Sequence, residues 1–310
     1  FEHPTVEALG LILNDVQATM RDAIVQGEGA QGDNRVLSYG QLRMWTLDRI
    51  EGGTASYNMP MALRIKGALD VDNFAAALKD VVLRHEPLRT IVVQEHGEPV
   101  GKLRALTAAD VLLKVEDLSK LPSAPQEKLI EQRVKEESGR LFDLSRDLLL
   151  RGNLLKIAKH EHVLILVIHH AASDGVSLPL FVRDLNHAYM ARLRGVAAES
   201  KPLAVTYADH ASWQRRFLED TGEVEKQLDY WRQSLSGAPE LLSLPPDYVR
   251  RADRNRLASY VPIAIDSKVA KGLEALALRH GTTVFAALMG IYGLLLSRLA
   301  RQKNVVIGFP

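Results

Sequence analysis

A run of six apolar residues, from Val163 to Ile168, is followed directly by two histidines. All six are valine, leucine or isoleucine, and an unbroken run of this kind is typical of a strand that is covered on both faces. The chain must therefore fold around this strand. Successive side chains on a strand point to opposite faces, so only one of His169 and His170 can face a given cleft. We expect His170 to face the cleft and His169 to pack or hydrogen-bond behind it.

A short turn of small residues leads from the histidines to Asp174 and Gly175. Because glycine permits a close approach of its backbone, the Gly175 amide is a candidate to face a negatively charged intermediate. We expect Asp174 to support the site, either by orienting the local backbone or by neutralising an arginine. Taken alone, Asp174 and Gly175 are equally consistent with an ordinary turn.

Apolar periodicity predicts a mixed α/β arrangement for most of the chain. We predict strands near 61–66, 88–93, 99–103 and 149–157, with helices near 71–85, 123–139 and 178–194. A polar break at 199–202 precedes a second lobe, which contains helices near 222–236 and 282–299. The last helix has a broad apolar face, and we expect it to be mostly buried.

Length, charge and composition exclude several classes of protein. The 310 residues exceed a typical single core, so two lobes plus a small remnant are expected. A net charge of +1 provides no basic field for nucleic acid or membrane binding, and no apolar run reaches membrane-spanning length. The absence of cysteine excludes disulfides and a cysteine nucleophile. The chain does not open on a secretory signal, and we expect a cytoplasmic protein.

The spacing His-His-x-x-x-Asp-Gly resembles the signature of the condensation domains of nonribosomal peptide synthetases, and more widely of acyltransferases with the chloramphenicol acetyltransferase fold. Four further stretches resemble other motifs of this family, in family order: 37–47 with 56–60, 84–90, 207–213 and 306–310. Gly40 stands where alanine is usual in the first motif, and Val176 where tryptophan is common after the Asp-Gly pair.

This resemblance implies an α/β fold of two similar lobes in a V-shaped pseudo-dimer, with the motif histidines at the floor of a tunnel. It assigns 37–202 to the N-terminal lobe and 203–310 to part of the C-terminal lobe. Because the second lobe would be incomplete, its share of the tunnel wall would be missing and water would enter the cleft. We therefore expect the 310 residues alone to be inactive, although the parent protein is an enzyme.

The N-terminal residues carry a second resemblance. The stretch from Phe1 to Leu9 is similar to the last helix of a peptidyl or acyl carrier protein, so we assign 1–14 to a carrier remnant. An ordinary amphipathic helix is the alternative. Residues 15–36 end in a glycine-rich polar stretch, which is typical of an interdomain linker.

The implied reaction is peptide-bond formation, in which the amine of an acceptor aminoacyl thioester attacks a donor thioester. His170 would act as general base or would orient the amine, since imidazole suits proton transfer near neutral pH. The resemblance also implies a buried Asp174 paired with Arg84 or Arg89, because a buried carboxylate needs a partner.

We expect no cofactor or metal on the chain itself, because both substrates would arrive on the 4′-phosphopantetheine arms of carrier proteins. The expected partners are donor and acceptor carrier domains and a downstream adenylation domain. Three alternatives remain within the same fold: an epimerisation domain, a noncatalytic recruitment domain and a starter domain that attaches a fatty acyl group. A heterocyclisation domain would carry aspartate in place of His169.

Overall fold

The computed structural model describes residues 23–196, 202–248 and 261–309. The predicted carrier helix at 1–14, the start of the predicted linker and most of the break at 199–202 lie outside these residues. The described residues form two compact units. The first comprises 23–196 and 202–221, and the second comprises 222–248 and 261–309.

The described residues of the first unit contain eight strands. They are β1 (Ala30–Gln31), β2 (Asn34–Arg35), β3 (Asn58–Lys66), β4 (Thr90–Glu95), β5 (Glu98–Leu103), β6 (Leu113–Asp117), β7 (Leu150–Ala158) and β8 (Glu161–His169). They make two four-stranded sheets, with strand orders β1-β2-β5-β4 and β3-β8-β7-β6. All pairs are antiparallel except β6 with β7.

The same described residues also contain five α-helices. They are α1 (Tyr39–Glu51), α2 (Val71–Arg84), α3 (Ser123–Gly139), α4 (Ser177–Leu193) and α5 (Tyr207–Asp220), and a short 3-10 helix, Glu86–Arg89, follows α2. Side chains cap several of these helices. Ser38 and Gln41 form a capping box at the start of α1, and Thr206 and Asp209 form another at the start of α5. The predicted alternation of strands and helices is confirmed.

Strand β8 lies at the centre of its sheet, and its apolar residues are buried on both faces. Leu164, Leu166 and Ile168 pack in one core cluster with residues of α2 and α4. Val163 and Ile165 pack against α3 on the opposite face, and Val167 packs there beside Phe142. Because both faces are covered, the strand has no polar alternation, as the sequence predicts.

The hairpin between β4 and β5 turns at His96 and Gly97. Their φ angles are 52° and 92°, so both central residues lie in the left-handed region that a two-residue turn of type I′ requires. Glycine takes this conformation without strain, whereas His96 does so at some cost. The strands predicted near 88–93 and 99–103 are thus joined as a hairpin, with its turn at 96–97.

The end of the predicted linker is part of the first unit. Strands β1 and β2 join the sheet through β5, and the Gly29 amide donates a 3.0 Å hydrogen bond to Asp209 of α5. Helix α5, which is predicted to lie in the second lobe, belongs to the first unit as well. Arg215 of α5 donates to the Leu37 carbonyl at 3.0 and 3.1 Å. Long-range hydrogen bonds of this kind are not visible in a linear sequence.

The described part of the second unit contains helices and no strand. The helices are α6 (Glu223–Ser234), α7 (Ser267–Arg279) and α8 (Val284–Ala300). The expected burial of the last helix is wrong: Leu296 and Ala300 are its buried residues, and most of its other apolar side chains are exposed. Helix α8 packs against α7, and no sheet in the described part of this unit covers its remaining faces.

No single helix among the described residues is long and apolar enough to cross a membrane. Helices α7 and α8 pass such a test only when taken together across a bend of 105°.

Truncating a side chain of the central strand tests how much β8 stabilises the first unit. Leu164 is 2% exposed, and we expect Leu164→Ala to lower the free energy of unfolding by about 2–5 kcal/mol, because it leaves a cavity in the core. Leu63, its cross-strand partner on β3, is 41% exposed and provides a matched control. Urea unfolding followed by circular dichroism measures both. Equal losses in the two variants would contradict the buried position of β8.

Two glycine substitutions test whether 23–36 is packed on α5. An added Cβ at Gly29 would lie 2.0 Å from the Ala208 carbonyl carbon and oxygen, so we expect Gly29→Ala to cost about 1–3 kcal/mol. Gly40 lies within α1, and a Cβ there would meet its nearest atom at 3.7 Å. We expect Gly40→Ala to stabilise by about 0.5–1 kcal/mol. Denaturation midpoints measure both changes, and a neutral Gly29→Ala would show that this segment is loosely attached.

Candidate active site

Strand geometry separates the two neighbouring histidines. His170 continues the face of β8 that carries Leu164, Leu166 and Ile168, whereas His169 continues the opposite face beside Phe142. His169 is 1% exposed, and His170 is exposed. The predicted assignment, with His170 at a cleft and His169 behind it, agrees with this arrangement.

His169 is held in a closely packed environment. Its backbone amide donates to the Leu149 carbonyl at 3.0 Å, and its Nδ1 accepts the Ala171 amide at 3.1 Å. The ring packs edge-on against Phe142 and Tyr57, at centroid distances of 5.7 and 6.3 Å. Burial, followed by the charges of His170 and Arg151, lowers the pKa of His169 to about 4. The imidazole is therefore neutral near pH 7, with its proton on Nε2.

Two hydrogen bonds fix His170. Its backbone amide donates to the Tyr57 carbonyl at 2.8 Å. The ring Nδ1 lies 2.8 Å from the Ser173 carbonyl oxygen. A carbonyl only accepts, so Nδ1 must carry the proton. In the neutral ring, Nε2 is then the basic nitrogen, and this is the tautomer that a general base requires.

A cavity of about 370 Å³ lies beside His170. Its walls come from α1, the 3-10 helix, the loop that follows β8, α4 and the start of α5, all within the first unit. The lining is mostly apolar and includes Met44, Leu180 and Phe181. A volume of this size, with few polar groups, is typical of a site for a small organic ligand.

The predicted ion pair of Asp174 is not formed. Asp174 is exposed, and its Oδ1 accepts the Ser177 amide at 2.7 Å and the Ser177 hydroxyl at 2.6 Å. These bonds lower the pKa of Asp174. The carboxylate therefore fixes the backbone where the loop enters α4, which is the local orienting role expected as the alternative to the ion pair.

The two arginines predicted as partners of Asp174 make other contacts. Arg84 lies 3.2 Å from the Asp184 carboxylate on α4, and Asp184 also lies 2.9 Å from His85 Nε2. Arg89 donates to two backbone carbonyls at 3.4 Å, and burial lowers its pKa. Asp184 supplies the negative charge that was expected from Asp174, because α4 packs against α2 and brings that carboxylate to the helix end.

Gly175 follows Asp174 on the exposed part of the loop. A side chain at this position would meet no atom within 4 Å, so the fold does not require a glycine there for lack of space. Gly175 is not among the residues that line the cavity, whereas Ser173 and Ser177 are. The proposed role of its amide stays a prediction.

Several residues that shape the site carry no catalytic signature in the sequence. Tyr57 and Ser173 act through backbone carbonyls, which any residue provides. Phe142 packs on the ring of His169, and Arg151 lies 3.8 Å above the Phe142 ring. Tyr57 and Gln41 lie within the first family motif, which covers 37–47 and 56–60. Phe142 and Arg151 lie outside every motif and become relevant only through packing.

The arrangement places the basic nitrogen of His170 beside a mostly apolar cavity, which His85 also lines. A neutral imidazole with its Nδ1 proton held in place can take a proton from a bound substrate and later return it. Among the described residues, no group of three or more histidine or acidic side chains is arranged to hold a metal ion. The position of His170 therefore suits proton transfer to or from a ligand in the cavity.

Sequence comparison supports one family. The family model of the condensation domain matches residues 31–310. A probable non-canonical nonribosomal peptide synthetase of Salinispora arenicola is 39% identical over 280 residues, which cover 89% of this chain and 4% of that protein. Bacitracin synthase 3 of Bacillus licheniformis is 32% identical over 310 residues, or 100% of this chain and 5% of that protein. The chain thus spans less than a tenth of these relatives.

Structural comparison agrees with the sequence comparison. The X-domain from teicoplanin biosynthesis, solved alone and in complex with OxyB, has a TM-score of 0.77 and 32% identity, covering 90% of this chain and 60% of that chain. The first condensation domain of the CDA synthetase has a TM-score of 0.68 at 20% identity, covering 89% and 64%, and so shows the fold alone. The predicted chloramphenicol acetyltransferase-like α/β fold is confirmed, and the chain belongs to the condensation domain family of nonribosomal peptide synthetases.

Proposed function

We propose that this chain carries the His170-dependent site for peptide-bond formation between two carrier-bound substrates. The observation that carries the proposal is the 2.8 Å contact from His170 Nδ1 to the Ser173 carbonyl, which leaves Nε2 basic at a cavity. An imidazole positioned beside the cavity, in a chain without a nucleophilic cysteine, fits direct attack of an amine on a thioester.

The proposed reaction needs no covalent bond to the protein. The neutral amine of the acceptor attacks the donor thioester carbonyl, and a C–N bond forms. His170 Nε2 takes the proton from the attacking nitrogen, and the tetrahedral intermediate collapses with cleavage of the C–S bond. The imidazolium returns its proton to the departing thiolate, so a thiol leaves and His170 is restored.

The partners follow from the family. Condensation domains of nonribosomal peptide synthetases work with carrier protein domains, which hold substrates as thioesters on 4′-phosphopantetheine arms. We propose a donor carrier upstream and an acceptor carrier downstream, with an adenylation domain that loads the acceptor, in a cytoplasmic synthetase. The mostly apolar cavity beside His170 fits the acyl part of such a substrate.

A recruitment role is the second candidate, and one observation favours it. The X-domain from teicoplanin biosynthesis combines 32% identity with a TM-score of 0.77 and has been solved in complex with OxyB. In that alternative the present chain binds a separate protein, and His170 has no chemical role.

The test compares His170→Ala with the wild type in the synthetase that contains this chain. With donor and acceptor carriers loaded, intact mass spectrometry of the acceptor carrier detects the dipeptidyl product. We expect the rate of product formation in this variant to fall by a factor of about 10²–10⁴, which is the usual contribution of a general base. His160→Ala is the matched control, because His160 is an exposed histidine in the turn between β7 and β8.

The outcomes separate the two candidate functions. If His160→Ala still forms the amide product and a folded His170→Ala variant does not, the result supports condensation. No product from a folded wild type, across several substrate pairs, would overturn it in favour of recruitment.

The pH dependence of stability tests the environment of His169. Its pKa is about 4 in the folded protein against an ordinary value of 6.5, so the unfolded chain binds the proton more readily. Above pH 6.5, titration of His169 does not change the free energy of unfolding. As the pH decreases from 6.5 toward 4, the unfolded chain takes up the proton first, and the free energy of unfolding falls. Urea unfolding at several pH values measures this slope.

His169→Phe is the variant for that experiment, because the His169 ring already packs against the aromatic rings of Phe142 and Tyr57. We expect a shallower loss of stability between pH 6.5 and 4 than in the wild type. Some slope will remain, since burial also lowers the pKa of His162. Identical slopes for His169→Phe and the wild type would contradict the buried, neutral state of His169.

A further inference from the structure

Gln41 makes two side-chain hydrogen bonds that serve different parts of the fold. It lies in the first turn of α1 and is 7% exposed. Its Oε1 accepts the Ser38 amide at 3.1 Å, which closes the capping box. Its Nε2 donates to the Ala171 carbonyl at 3.3 Å, 130 residues away in the loop that follows the two histidines. Only the first of these bonds is needed to cap the helix.

The loop that receives the second bond sets the position of the catalytic ring. Ala171 is held through its amide by His169 Nδ1 and through its carbonyl by Gln41. Ala172 donates to the His169 carbonyl at 2.9 Å. The next residue, Ser173, supplies the carbonyl that holds the Nδ1 proton of His170. The Gln41 amide group therefore links α1 by a hydrogen bond to a loop whose shape decides the His170 tautomer.

The capping box is itself anchored at the edge of the cavity. The Ser38 hydroxyl lies 3.0 Å from the Tyr207 hydroxyl, which joins α1 to the start of α5. Gln41 and Tyr207 both line the same cavity as His170. Because Ser38 is 2% exposed and Gln41 is nearly as buried, a lost hydrogen bond here is not readily replaced by water.

We infer that Gln41 is a positioning residue: its Nε2 donor holds the Ala171 carbonyl so that the Ser173 carbonyl keeps the proton of His170 on Nδ1. This inference rests on the proposed function for its kinetic consequence, but the tautomer itself is a property of the folded chain. A purely capping glutamine would need only its oxygen.

Gln41→Glu separates the two roles, because it keeps an oxygen for the Ser38 amide and removes the N–H donor at neutral pH. A carboxylate beside the Ala171 carbonyl places two acceptors together, so the loop should shift. In the ¹⁵N–¹H spectrum of ¹⁵N-labelled histidines, the signals of the His170 ring are identified by their absence in His170→Ala. We expect Gln41→Glu to lose the signals that show the His170 proton on Nδ1. In the synthetase we expect kcat to fall about ten- to a hundredfold, with little change in KM for the loaded carriers.

The pH profile gives a readout that a general loss of stability would not produce. Protonation of the introduced carboxylate restores a donor for the Ala171 carbonyl, so the activity of this variant relative to the wild type should rise as the pH falls. The matched control is Gln94→Glu, since Gln94 Nε2 donates to the Gly97 carbonyl at 2.9 Å in the β4–β5 hairpin. We expect that variant to behave as the wild type in both measurements.

The inference about the tautomer and the proposed reaction can be contradicted independently of each other. A folded Gln41→Glu variant that retains the Nδ1–H signature of His170 overturns the inference, whether or not the wild type forms an amide. Loss of that signature in a chain without condensation activity supports the positioning role and counts against the proposed function. If Gln41→Glu does not fold, Gln41→Met serves instead, because it removes the donor without adding a charge; the same retained signature would overturn the inference.

Discussion

The burial of β8 on both faces is the constraint from which the site follows. The strand lies between β3 and β7, and its side chains alternate between a cluster with α2 and α4 and a cluster with α3. Two adjacent histidines at the end of such a strand cannot share an environment. One continues a packed face and becomes a neutral, buried ring, whereas the other emerges beside a cavity.

Backbone groups, more than charged side chains, define the state of the exposed histidine. The carbonyls of Tyr57 and Ser173 hold its amide and its ring proton, and the Ala171 carbonyl is held in turn by Gln41. Charged groups stabilise the surroundings instead. Asp184 pairs with Arg84 at the end of α2. Within 23–196, 202–248 and 261–309, no carboxylate is hydrogen-bonded to the His170 imidazole, and its tautomer depends on the shape of the loop.

Prediction from sequence succeeded where short-range pattern controls structure. Helices α2 and α3 and strands β7 and β8 were predicted to within three residues, because their apolar spacing or composition is strong. It failed where distant residues supply the partner. The charged partner of Arg84 is Asp184 and not Asp174, β1 and β2 extend a sheet through a segment that resembles a linker, and α8 leaves an apolar face exposed.

The sequence by itself determined the family, the central buried strand and the split of the two histidines, because a run of apolar residues and the alternation of a strand are local properties. Only the tertiary structure decided which nitrogen of His170 carries the proton, which acid neutralises Arg84 and how the loop is tied to α1. These depend on hydrogen bonds between residues far apart in the chain, including Gln41 and Ala171. Distances of that kind are set by packing of whole elements, which no stretch of sequence specifies alone.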